Sequence, residues 1–116
     1  MEPIHYIILG SITILYLFRK VSSTKRAKAV KKYLDGEALV IDVRSRDEYL
    51  TGHFPKSKNI PIENIASQMK SHHNKEENII VYCASGARSK MAKIKLLQLG
   101  FNNVINGGSF HNMLNA

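Results

Sequence analysis

Cysteine is almost absent: the 116 residues hold one, Cys83. A single thiol excludes an internal disulfide framework and a CxxC zinc site, and a free thiol suits a reducing compartment, most simply the cytosol. Acidic residues are missing from one stretch. Arg19, Lys20, Lys25, Arg26, Lys28, Lys31 and Lys32 follow one another with no Asp or Glu among them, whereas residues 33–116 are close to balanced. The net charge of +8 therefore belongs to one segment. A nucleic-acid face gathers its basic residues on the folded domain, so no nucleic-acid partner is expected. A basic block beside an apolar run suits a membrane surface better. Internal repeats and low-complexity stretches are also missing.

The apolar run is Ile4 to Phe18. As a helix it spans ~22 Å, against ~30 Å of hydrocarbon, and Arg19 and Lys20 can snorkel outward to lengthen it. Before it stands no positive residue other than His5, and no A-x-A pattern occurs before Lys25. Both facts favour an anchor over a cleaved signal; a cleaved signal and a buried core helix are the alternatives. Residues 1–20 are expected as a membrane-anchoring or spanning helix and residues 21–116 as the domain. The positive-inside rule makes the protein single-pass, with that domain facing the cytoplasm. Thr24 is the expected cap of a separate helix from Lys25 to Leu34, with Ala27, Val30, Tyr33 and Leu34 as its apolar side.

Beyond Asp35-Gly36, "ALVIDV" (residues 38–43) reads as a buried strand. Ser45 and Glu48 have the spacing of a capping box and predict a short helix stopped by Gly52. "KSKNIPI" predicts a short extended piece, then a helix from Pro61 or Ile62 to about Ser71 with Ile62, Ile65, Ala66 and Met69 on one face. "HHNKEEN" is a polar loop in which His72 and His73 are expected to be solvated. Asn78 to Tyr82 is a second buried strand, and Arg88 to Leu99 a helix stopped by Gly100. "NNVIN" is a short strand, Gly107-Gly108 a turn, and "SFHNMLN" a last short helix. Strands alternating with helices predict an α/β domain with a mainly parallel sheet flanked by helices, preceded by the N-terminal hydrophobic helix.

Cys83 closes the second strand, at the carboxyl end where open α/β sheets bind ligands. Small residues follow, Ala84, Ser85, Gly86 and Ala87, and then Arg88 at a helix start. Free amides of a first helical turn, with Gly86 at positive φ, can form a bowl that binds anions and favours thiolate. Arg88 offers a fork for an oxyanion. The chemistry implied is a sulfur nucleophile acting on an oxyanion-bearing substrate; the plain alternative is a small buried hydrophobe.

"VIDVRSRDEYLTGHFPKSKNIPIENI" (residues 40–65) resembles the first half of rhodanese domains, and "IIVYCASGARSKMAKIKLLQLGFNNVINGG" (residues 79–108) the second. The resemblance implies a rhodanese-like fold and sulfurtransferase chemistry. Sulfane sulfur passes from thiosulfate or a persulfide donor to Cys83, and from the Cys83 persulfide to a thiol or cyanide. Residues 84 to 88 match the loop that cradles sulfur and donor. Asp42, Arg44, Glu48 and His53 match family positions and are read as structural support, His53 being also a conceivable base. No metal and no cofactor is implied. The partners implied are a small sulfur-donor anion or persulfide protein and an external thiol, since a lone cysteine cannot resolve its own persulfide. Two departures stand out. Ala84 follows the cysteine where many relatives carry a basic or larger residue, which makes Arg88 the chief cation. Asn112 stands near the place of a tryptophan that commonly follows the double glycine.

Two other readings compete. One is a Cys/Arg-loop phosphatase or arsenate reductase, whose loop holds five residues between Cys and Arg, against four here. The other is a non-catalytic scaffold or regulatory domain at the membrane.

Overall fold

The computed structural model describes residues 3–116, apart from the side chains of residues 22 and 23. Met1 and Glu2, part of the expected anchor segment, lie outside that range. Helix α1 (Pro3–Asp35) takes in both the apolar run and the basic segment without a break. Thr24 thus caps nothing: its hydroxyl donates back to the Lys20 carbonyl. Helical propensity runs through the basic stretch, where Ala, Lys and Arg predominate, so the cap signal is overridden. Every residue from Pro3 to Val21 is exposed. This helix is long and apolar enough to cross a membrane, with mean hydropathy 1.4 over 18 residues, none of them buried.

Strands β1 (Ala38–Asp42), β2 (Lys58–Asn59), β3 (Asn78–Cys83) and β4 (Val104–Ser109) form one sheet in the order β2-β1-β3-β4. Every pairing is parallel. Between them run α2 (Arg46–Leu50), a 3₁₀ turn at Ile62–Asn64, α3 (Ile65–Met69), α4 (Ala87–Gln98) and finally α5 (Phe110–Leu114). Side chains alternate across the pleat and divide the core in two. Ile41, Val43, Ile79, Val81 and Cys83 face α3 and α4, where Met69, Ala92 and Leu96 meet them. Val40, Ile80 and Tyr82 face the other way, onto Val30, Tyr33 and Leu34 of α1 and Met113 of α5.

Ser45 caps α2 through the expected capping box with Glu48. The helix expected after Pro61 is shorter and tighter at its start; Ile65 and Met69 are buried while Ala66 is exposed. On α4 only Ser89, Ala92 and Leu96 are buried, and Met91, Ile94 and Leu97 face solvent. His72 pairs with Glu77 rather than standing free in solvent.

Gly107-Gly108 is not a turn. Both residues lie in β4, where the register with β3 shifts between Val81 and Tyr82: Val81 pairs with Asn106, but Tyr82 with Gly108. Gly107 is the extra residue of this bulge, and a Cβ there would meet Met113 Sδ at 2.5 Å. A side chain there would have to displace the Met113 thioether and would press on Ile80 Cγ2 at 3.0 Å.

Two residues, Gly36 and Glu37, separate α1 from β1. The strand therefore turns back along the helix it packs on. Since all four strands are parallel, their carboxyl ends point towards the N-terminal half of α1. Arg26 accordingly lies against Gly108, near the end of β4.

Candidate active site

Cys83 is the last residue of β3 and is buried. Its Sγ accepts a hydrogen bond from the Gly86 amide at 2.9 Å, so the loop curls back on its own sulfur. This curl needs Gly86 at φ 98°, the left-handed region that glycine occupies without strain, and Gly86 is also the residue before α4. A Cβ on Gly86 would lie 3.5 Å from Gly108 Cα, an ordinary contact, so the positive φ rather than lack of space favours glycine there.

Ser89 is a site residue that sequence reasoning passed over. It is fully buried, and its Oγ lies 3.5 Å from the sulfur. Oγ is also 2.7 Å from Asn106 Oδ1 and 3.1 Å from the Gly86 carbonyl. The single hydroxyl proton can go to only one of these three acceptors at a time. Asn106 Oδ1 also accepts from the Gly108 amide, and so has a donor besides the Ser89 hydroxyl. Asn106 Nδ2 meanwhile holds the Gly86 carbonyl at 3.2 Å. The available signal was the spacing Ser89, Ala92, Leu96, which puts a polar residue on the buried face of α4.

Burial is the largest influence on the thiol and pushes its pKa up. Hydrogen bonds from the Ser89 hydroxyl and from the amides of Ser89, Gly86 and Ser85 outweigh it, so Cys83 lies below an ordinary thiol. The shift towards thiolate owes nothing to a histidine: its causes are the Ser89 hydroxyl and the loop amides. His53 is exposed and stacks on Tyr49, with Nδ1 2.9 Å from the Tyr49 carbonyl oxygen. None of its hydrogen bonds reaches the sulfur.

Arg88 does not stand free above the loop. Its Nη1 and Nη2 bind Glu48 Oε1 and Oε2 at 2.6 and 2.9 Å, a two-pronged ion pair between α4 and α2. Arg88 first of all, and then the Ser45 amide and hydroxyl, lower the Glu48 pKa to about 2, against the smaller opposing effect of burial. Glu48 thus serves a helix cap and an arginine together. Ala84, Ser85 and Ala87 contribute no charge. Asp42 and Arg44 stand at the carboxyl end of β1, where Asp42 pairs with Tyr82 of β3. Buried Asp42 accepts from the Arg44 amide and guanidinium, and Arg44 Nη2 also donates to the Gly52 carbonyl at 2.6 Å. The Arg44 guanidinium lies 4.8 Å from the centre of the Phe110 ring. This buried pair ties β1 to the segment after α2.

What the arrangement offers chemically is a sulfur with its pKa lowered by a nest of amides, at the mouth of a parallel sheet. The sequence profile of the rhodanese-like domain family matches residues 26–112. The chain belongs to that family. Among solved rhodanese-like structures, a human single-domain sulfurtransferase superposes with a TM-score of 0.66 at 25% identity, over 73% of this chain and 88% of its own. A rhodanese from E. coli, solved with anions, gives 0.61 at 29% identity, over 65% and 89%. A curated relative, the tRNA uridine(34) hydroxylase of Yersinia enterocolitica, is 35% identical over an 81-position alignment that covers 64% of this chain. This rhodanese-like chain spans only 23% of that relative's length.

Proposed function

We propose that the protein is a sulfurtransferase that carries a sulfane sulfur as a Cys83 persulfide. The observation that carries this reading is the thiol loop, in which the Gly86 amide and the Ser89 hydroxyl converge on one buried sulfur. The Cys83 thiolate attacks the outer sulfur of thiosulfate or of a persulfide. A new S–S bond forms, the donor's S–S bond breaks, and sulfite or the donor thiolate leaves with the bonding electron pair. An acceptor thiolate or cyanide then takes the outer sulfur and returns Cys83 as thiolate. Ala84, Ser85, Gly86 and Ala87 supply the backbone cradle, with Arg88 braced by Glu48 at its rim. Asp42, Arg44 and His53 act as structural support.

The pairing of Arg88 with Glu48 favours sulfur over phosphate ester chemistry, since an arginine already clamped by a carboxylate is a poor clamp for a phosphoryl group. Residues 1–20 anchor the chain in the membrane, and residues 21–116 form the domain on the cytoplasmic side. The activity named for the Yersinia relative belongs to a much longer chain.

The deciding experiment is intact-mass measurement after incubation with thiosulfate, and separately with a persulfide donor, followed by cyanide. Wild type should gain one sulfur atom and release it as thiocyanate, and Cys83→Ser should do neither. Absence of any adduct with either donor would overturn the reading in favour of a scaffold.

A further inference from the structure

Three cations from opposite faces of the sheet meet at the free edge of β4. Lys25 and Arg26 come from α1 and Lys93 from α4, and together with Asn106 they line one open cleft of about 290 Å³. No carboxylate lines it. Among the described residues none of the three forms a salt bridge. Like charges drawn to one cleft repel, and an anion between them removes that cost. Two arginine or lysine residues at neighbouring positions of one helix could be chance. Lys93 is not explained that way, because the rest of α4 packs on the other face of the sheet.

The position of the cleft points to its ligand. Lys25 follows Phe18 by seven residues on a continuous helix, which sets it ~10 Å beyond the apolar segment. Lipid headgroups occupy ~5–8 Å outside the hydrocarbon on each side, and a lysine or arginine side chain reaches the remaining distance. The carboxyl ends of the strands point the same way.

We infer that this cleft binds a phosphate group, supplied by the headgroup of an anionic lipid. The inference rests on the membrane reading given above. An occupied cleft holds the end of the sheet that bears Cys83 against the bilayer. It also lies beside Asn106, which hydrogen-bonds both Ser89 and Gly86.

The test uses the full chain in phosphatidylcholine vesicles, with and without phosphatidylglycerol. Exposed lysines are acetylated briefly and quantified by peptide mass spectrometry. Lys90 and Lys95 share α4 but lie outside the cleft, so they report general charge attraction. Phosphatidylglycerol should lower labelling of Lys93 relative to both by about fivefold, the factor set by one basic residue at an anionic surface. Arg26→Gln should weaken that protection while leaving the thermal midpoint unchanged. Inorganic phosphate added to phosphatidylcholine vesicles separates the sources. Protection by phosphate without protection by the lipid would remove the lipid as supplier. Protection by added tRNA alone would overturn the assignment in favour of nucleic acid. Equal labelling of Lys90, Lys93 and Lys95 in every arm would end it. Vesicle flotation reads membrane attachment independently. If the chain does not float, the anchor reading fails, and the phosphate arm on the free chain alone decides the cleft.

Discussion

At the scale of the residue, the sulfur of Cys83 is governed by what donates to it. Burial alone would raise the pKa of a thiol; the Ser89 hydroxyl and the amides of Ser89, Gly86 and Ser85 outweigh it and lower the pKa. Removing the Ser89 hydroxyl should therefore destabilise the thiolate, with alkylation by iodoacetamide titrating at higher pH. Near neutrality Ser89→Ala should react about fivefold more slowly, the factor expected for ~1 kcal/mol of hydrogen bond. An unchanged or lower titration midpoint would show that Ser89 serves only packing. Arg44 is a different case, because its loss strands Asp42 as a buried unpaired charge. Such a loss costs about 3–5 kcal/mol, so Arg44→Ala should lower the thermal midpoint by well over ~10 °C. A drop of only a degree or two in calorimetry would contradict the role assigned to this pair.

Between elements, Glu48 is the joint of α2 and α4, and two substitutions separate its duties. Glutamine retains the capping-box acceptor but loses the charge, whereas alanine loses both. Both ends of the ion pair are more than a third exposed, so Glu48→Gln should cost under ~1 kcal/mol. Glu48→Ala should cost about 1 kcal/mol more, the usual size of a lost cap. Chemical denaturation of the two variants reads the difference, and equal costs would leave the cap without a contribution. The carboxyl titrates at about 2 in the fold against 4.5 ordinarily. Its contribution is therefore fully present above pH 4.5 and is lost as pH falls towards 2. The Glu48→Gln variant should show a flatter fall in stability across that window.

The whole molecule is a helix of ~50 Å with a small α/β domain packed on its C-terminal third. From Pro3 to Val21 every residue of that helix is exposed, a state that water disfavours for Ile, Leu and Phe in a row. The full chain is expected to float with vesicles and resist extraction by salt. A chain starting at Val21 should remain soluble and keep a folded thermal transition, since Val30, Tyr33 and Leu34, which join the core, are retained. Sedimentation of the shortened chain with phosphatidylcholine vesicles, which give the basic cleft no anionic lipid, or solubility of the full chain, would argue against the anchor.

Local patterns in the sequence determined the buried strands around Val40 and Ile80, the Ser45–Glu48 cap, the α4 stop at Gly100 and the position of Cys83 at a strand end. Each depends on residues within a few places of one another. Tertiary structure alone decided the rest. Thr24 was absorbed into a longer helix, the glycine pair became a strand bulge under Met113, and Arg88 found Glu48 forty positions away. Ser89 and Asn106 gained their roles only when β4 was laid beside the thiol loop. The physical reason is range: caps and periodicity act along the chain, whereas partners for a guanidinium, a hydroxyl or a sulfur are chosen by whichever segment the packed sheet brings within a hydrogen bond's reach.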